Sequence, residues 1–470
     1  MAANLCSCSG YSDFLDSGSF HKYASDGIVN TKELVYVIQE AVSENHGLSN
    51  DEYDDLLKSL YHQDQERHNI AIKAGLGKKI YKLLYVVLPN DDTGEQVGYL
   101  ITAFALLFQC SDEYKLSCFS SIGQKLIPLL LDVCDMCLQG KVVPKHSPEL
   151  ILATVTKILG IFCKLAETRK VMASNNDFLN TLVDIIDSKV SADARVYAVW
   201  SISVLALDHD SRLLLTQHPD IMDTLIEASE IDDPTTKKEI SAAILNMSAM
   251  AEAHTRLAQH DGFLKLLHKF LITIGDPQIR AAGTIRNLAS NEGARYEIVF
   301  FDKGAMLSAL CFTMIGSKNE VASSRAAGAI KNLSFSNDSC VQYAMMDHPR
   351  FLRSVGRAIS SQFENVRTYA CLALINFCNH CRHPMKSHNT LLTILADASV
   401  ALNSYSDVVA NRVSSAFLAQ ALQQENLMAM VKKQGILEGI TLLSESKNPE
   451  ARANATKTLE LLTSSKVGRH

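Results

Sequence analysis

The chain has 470 residues, 47% of them hydrophobic and only 10 of them proline, with a net charge of −6. That balance suits a packed core and leaves little room for disordered linkers. Residues 1–66 hold 12 Asp/Glu against 3 Lys, so this segment carries −9 and the remainder +3; with no basic excess, no nucleic-acid partner is expected.

Residues 1–30 mix Ser, Gly and Asp without a period and read as a flexible acidic N-terminal segment. Met1 to Tyr11 lacks both a positive n-region and an apolar h-region, so secretion is not expected, and the cytoplasm, with the nucleus as a second location, is. Leu34, Val35, Ile38, Ala41 and Val42 predict an amphipathic helix from Thr31, and Leu56, Leu57 and Leu60 a second from Asp51. Helices come next over Gly98 to Cys110 and Ile122 to Leu138, then a loop over 140–148 enforced by Pro144 and Pro148. Residues 31–148 are thus read as a cap with irregular helical repeats. The longest apolar runs, such as Tyr99 to Phe108, fall short of the roughly 18 residues of a spanning helix, so no membrane partner is expected.

From Glu149 to residue 465 a period sets in, leaving 466–470 as a tail. Arg280-Ala281-Ala282-Gly283-Thr284-Ile285-Arg286-Asn287-Leu288 returns as Arg325-Ala326-Ala327-Gly328-Ala329-Ile330-Lys331-Asn332-Leu333. Weaker copies centre on Asn246 and Asn376, so four asparagines stand 41, 45 and 44 residues apart. Ile161 and Val204 fall in the same phase, because Arg169 and Arg212 then lie eight residues on, as Arg295 does after Asn287. Each period is punctuated by Gly or Pro, at Pro219, Gly262, Gly304, Pro349 and Gly435, and a further break opens the long helix, as at Gly275-Asp276-Pro277, where Asp276 is the expected N-cap. Periods of this length mark helical solenoids whose units bury their apolar faces on one another.

These motifs resemble the third helix of armadillo repeats in β-catenin-like and importin-α-like proteins; Arg67 to Leu76 resembles the segment just after such a helix. The resemblance implies an all-α, right-handed α-solenoid of about nine units of three helices each, counted as one domain. It implies a non-enzymatic interaction scaffold, a monomer without cofactors, whose groove is lined by third helices and whose asparagines bond the main chain of an extended peptide. Taking Asn246, Asn287, Asn332 and Asn376 as centres, the shared stripe adds Arg280, Arg325 and Asn291. A carboxamide can satisfy a peptide's C=O and N–H together, and helices about 8–10 Å apart would offer one amide per two to three residues of strand. The rival reading keeps these amides inside the array, bridging adjacent units.

Importin-α-like adaptors place Trp four residues before the asparagine. Here that slot holds Ala242, Gly283, Gly328 and Leu372, while Trp200 occupies it beside Val204. The nuclear transport adaptor is therefore the alternative function. Arg280, Arg286, Arg325 and Lys331 favour an acidic protein or peptide partner, and the N-terminal acidic segment is expected to compete with it. Cys378 with Cys381, and Cys134 with Cys137, have ligand types at close spacing, but zinc sites join two separated pairs; all twelve cysteines are read as reduced, with no metal.

Overall fold

A computed structural model describes residues 31–61, 73–91, 94–108, 112–141, 147–380, 392–397 and 407–464. Among these the regular elements are all helical, and the chain is an all-α solenoid. Its helices gather into two compact units, divided between Ile231 and Asp232.

The first unit opens with helices Thr31–Glu44 and Asn50–Tyr61, close to the expected spans. Of Arg67 to Leu76, residues 67–72 lie outside the described residues; Gly75 then turns left-handed at φ 68° to launch Leu76–Val87. The helix expected from Gly98 runs Glu95–Leu107. The next predicted span is longer than its apolar pattern: Asp112–Cys118 passes through a π-helical segment, Phe119–Gly123, into Gln124–Leu138. Short helix, second helix and long third helix then become regular with Arg169–Ala173, Asn176–Asp187 and Ala192–Leu205. In the second unit the same triplet recurs as His254–Gln259, Phe263–Leu271 and Asp276–Leu288, then as Glu292–Phe300, Ala305–Gly316 and Glu320–Leu333.

Tyr114–Leu138 and Glu292–Gly316, 25 residues each, are long and apolar enough to cross a membrane. Both are interrupted: the first by the π segment, the second by Asp302 and Lys303 at φ 40° and 54°. Half of each lies inside the fold as repeat helices.

The core is the apolar side of each triplet. Phe263, Leu267 and Phe270 of a second helix and Ala281, Ala282, Ile285 and Leu288 of its third are fully buried. The recurring Gly or Pro between first and second helices is one turn solved twice. Gly262, Gly304 and Gly435 take φ of 75°, 89° and 86°, a region costly for any residue with a Cβ. In the other solution His218 and His348 are extended and Asp220 and Arg350, just after the prolines, are right-handed, and the histidine Nδ1 accepts from the backbone N–H two residues on, at 3.3 and 3.4 Å.

A second device closes the third helices, whose last carbonyls lack intrahelical donors. The side chain six residues on donates back to one of them: Arg169 Nε to Cys163 O at 3.2 Å, Arg212 Nε to Ala206 O at 2.6 Å, and Arg295 Nε to Ala289 O at 2.8 Å. His254 Nε2 does the same to Ser248 O at 2.8 Å, while Gln342 Nε2 reaches Ser336 O at 2.6 Å, two residues past the cap of its helix. A cation there also complements the helix dipole.

At the start of third helices Ser191, Asp233 and Asn319 accept from backbone N–H groups of the first turn. Asp276 does not: Gly275, at φ 116°, is the N-cap and has no side chain to offer, while Asp276 pairs with Arg280 at 3.6 Å. The expected cap is corrected accordingly, with Pro277 in the first turn as anticipated.

Candidate functional site

In the second unit the third helices Pro234–Met247, Asp276–Leu288, Glu320–Leu333, Glu364–His380, Asp407–Ala421 and Pro449–Ser464 pack successively side by side. Asn246, Asn287, Asn332 and Asn376 sit half-buried on this row. Asn287 Nδ2 donates to Ser248 Oγ at 3.0 Å, and Asn332 Nδ2 to Arg286 O at 2.9 Å. Asn376 Nδ2 reaches Lys331 O at 3.2 Å and Ser334 Oγ at 2.9 Å. Each of these three carboxamides thus bridges to the preceding repeat through a donor. The bridge fixes its rotamer, and at Asn287 and Asn332 one further N–H is left over among the described residues, since an amide nitrogen carries two. Asn332 Oδ1 accepts from Lys331 Nζ at 3.1 Å.

Asn291, at the far end of the stripe, is the N-cap of Glu292–Phe300: its Oδ1 accepts from Gly293 N at 2.9 Å and from Thr255 Oγ1 at 3.0 Å. Its carboxamide oxygen serves the turn. Trp200 lies in the first unit, half-buried, and a Cβ on Gly160 would stand 2.5 Å from its ring. Gly160 is therefore what lets the indole lie close on helix Pro148–Lys164.

Arg286 and Arg325 obey one rule: each lies across a glycine of the neighbouring helix. A Cβ on Gly328 would stand 3.0 Å from Arg286 Cδ and Nε, and one on Gly283 3.1 Å from Arg325 Nη1. Beyond Gly328 the Arg286 guanidinium lies 5.5 Å from the centre of the Tyr369 ring, within cation–π range. Arg325 Nη1 donates to Ile279 O at 3.0 Å, and Arg280 Nη1 to Lys238 O. Burial, with the charges of Arg286 and Arg280, pulls the Arg325 pKa below its ordinary value. Among the described residues no carboxylate stands within 4.0 Å of Arg286, Arg325 or Lys331. Glu239, on the first of these third helices, is buried, and desolvation raises its pKa although Arg280 draws it down.

The thiols offer little. Cys134 and Cys137 share the buried side of Gln124–Leu138, where burial pushes the first well up and the second to about 12, disfavouring the thiolate a metal needs. Cys378 is buried, and Cys381 lies outside the described residues.

No family model and no curated protein match the chain. Among solved structures, an engineered protein of the Northeast Structural Genomics Consortium, target OR497, aligns over 93% of this chain and 100% of its own at 18% identity and a TM-score of 0.65. Two designed armadillo repeat proteins align over smaller parts. YIII(Dq)4CqI covers 53% of this chain and 99% of its own at 21% identity and TM-score 0.44. YIII(Dq.V1)4CPAF, solved with the peptide (KR)4, covers 60% and 99% at 17% identity and TM-score 0.41. At 18% identity the first of these likenesses is one of fold alone, in keeping with the all-α solenoid.

Proposed function

We propose that the chain is a non-enzymatic scaffold that holds an extended acidic segment of a partner protein along the third-helix row of its second unit. The observation that carries this is the juxtaposition of Asn287 and Asn332, each with an N–H to spare, with Arg286 and Lys331, whose charges meet no carboxylate among the described residues. The amides engage the peptide main chain without regard to sequence, and the cations select for acid. Helix bridging and ligand binding are compatible uses of one side chain, because the bridge consumes one donor of the amide.

A fluorescently labelled, extended Asp/Glu-rich peptide should bind the full chain in a salt-sensitive manner. Arg286→Glu with Lys331→Glu should weaken it about tenfold or more, since each exposed ion pair is worth up to ~1 kcal/mol and reversal adds repulsion. Unchanged affinity would overturn the assignment. Tighter binding of a Lys/Arg peptide of equal length would instead favour a transport adaptor of the importin-α type.

A further inference from the structure

The second helices of the same unit carry a separate feature. Phe351–Ile359 buries Phe351, Leu352, Val355, Ala358 and Ile359 and turns Arg353 and Arg357 outward, with Arg350 exposed at its N-terminus. Its neighbour Ala305–Gly316 contains no charged residue. It buries Met306, Leu307, Leu310, Cys311 and Met314, yet leaves Phe312 66% and Ile315 39% exposed. Between the two helices runs a cleft of about 230 Å³ lined by Phe312, Ile315, Pro349, Arg350, Arg353 and Arg357, floored by Cys311 and Ser354. Along the other flank of Phe351–Ile359 a shallower cleft of about 570 Å³ is lined by the same Arg353 and Arg357 with Ile394, and Asp397 is the carboxylate at its edge.

An exposed arginine is ordinary. Three on one flank, none within ion-pair distance of a carboxylate among the described residues, beside an exposed phenylalanine are less so. Elsewhere in this unit Arg280 pairs with Asp276, Arg295 with Glu292 and Lys237 with Asp232. We propose that this cleft is a second docking surface, which takes an acidic amphipathic helix from a partner protein. Phe312 and Ile315, three residues apart on one helix, match apolar anchors at i, i+3 or i+4 of such a ligand. The arginine forks beside them meet carboxylates on its flanks, and bidentate pairing rewards Arg over Lys there. An extended strand suits the cleft poorly, because its side chains alternate and would turn half of the apolar set to water. Occupancy is therefore independent of the third-helix row.

The test uses a labelled 16-residue peptide with Leu at i, i+3, i+4 and i+7 and Glu elsewhere, titrated against the full chain, with a Glu-only peptide of the same charge as comparison. Saturable binding is expected. Arg353→Glu with Arg357→Glu should weaken it at least tenfold and Phe312→Ala about fivefold, while Arg286→Glu with Lys331→Glu leaves it unchanged. Apart from the half-buried Lys331, all are exposed positions where substitutions rarely unfold a protein. The proposal fails if wild type shows no saturable binding, if the Arg353/Arg357 variant binds as tightly, or if the third-helix variant loses as much. It fails equally if, in the Arg286→Glu/Lys331→Glu background that removes the third-helix row, the Glu-only peptide matches the amphipathic one, or if anionic vesicles or RNA bind the arginine flank in its place.

Discussion

Replacing Asn287 and Asn332 together with alanine tests the double use of these side chains. The structure loses two bridges between third helices, to Ser248 Oγ at 3.0 Å and to Arg286 O at 2.9 Å. A net hydrogen bond contributes about 0.5–1.5 kcal/mol, and both acceptors tolerate the loss. Ser248 Oγ keeps its own donation to Leu245 O at 2.7 Å, and Arg286 is exposed, so water reaches its carbonyl. The expected cost is about 1–2 kcal/mol, which for a unit of this size lowers the melting temperature by about 2–8 °C. Helicity should be retained. If the amides also hold a peptide main chain, affinity for the extended acidic peptide falls further than folding does, by about 5- to 30-fold. Calorimetry or circular dichroism gives the first quantity and fluorescence anisotropy the second. A melting shift with unchanged affinity would confine the amides to the bridges. Loss of helicity would make them core elements and remove the basis for the site.

Two further predictions concern the frame that positions the row. Arg295→Ala removes donations to Ala289 O, Ser290 O and Phe335 O and one partner of Glu292, which keeps Ser336 Oγ and Asn337 N; because Arg295 is buried, the loss should be about 2–3 kcal/mol, read as a lower urea midpoint, and a loss below about 1 kcal/mol would show that water replaces it. Glu239 is an acid whose folded pKa is raised by burial, so the folded state binds more protons than the unfolded one, and the penalty for its charge is absent at low pH and appears as pH rises past the ordinary Glu range. Glu239→Gln should therefore stabilise at pH 7 with the gain fading below about pH 4.5; equal effects at both pH values would trace it to packing instead.

The phase of the array was legible because the same residue types return at one spacing, and a repeat supplies its own control: Asn287 and Asn332 are in register whether or not any single helix is well placed. What those asparagines touch was not legible, since the acceptors Ser248 and Arg286 come from the preceding repeat and only the superposition of helices selects them. Arg169, Arg212 and Arg295 stood out as an alignment marker, yet their work in closing helix ends becomes visible only when the six-residue return to Cys163, Ala206 and Ala289 is seen; the identical offset in all three was the available signal. Asp276 misled because aspartate before proline usually caps, whereas Gly275 holds a backbone angle open mainly to glycine and shifts the cap one residue back. The acidic N-terminus needs a similar correction. Only Asp13, Asp16 and Asp26 fall in residues 1–30, whereas seven of the twelve carboxylates belong to helices Thr31–Glu44 and Asn50–Tyr61, so most of the charge credited to a flexible competitor is fixed in the fold.

The glycines give the row its chemical bias. In an adaptor that receives lysine stems, the position four residues before the asparagine carries a tryptophan wall. Gly283 and Gly328 remove that wall, and the room is taken from within, by the Arg325 stem over the first and the Arg286 stem over the second. A foreign lysine would have to displace an arginine and then sit beside Arg280, Arg286 and Arg325, where burial and, after it, the neighbouring charges already lower the Arg325 pKa. An aspartate or glutamate meets no such obstacle: it reaches guanidinium edges held in place by Tyr369 and Ile279 O, and the ordering of those side chains is complete before it arrives. The same two glycines that weaken the case for a basic ligand therefore strengthen the case for an acidic one.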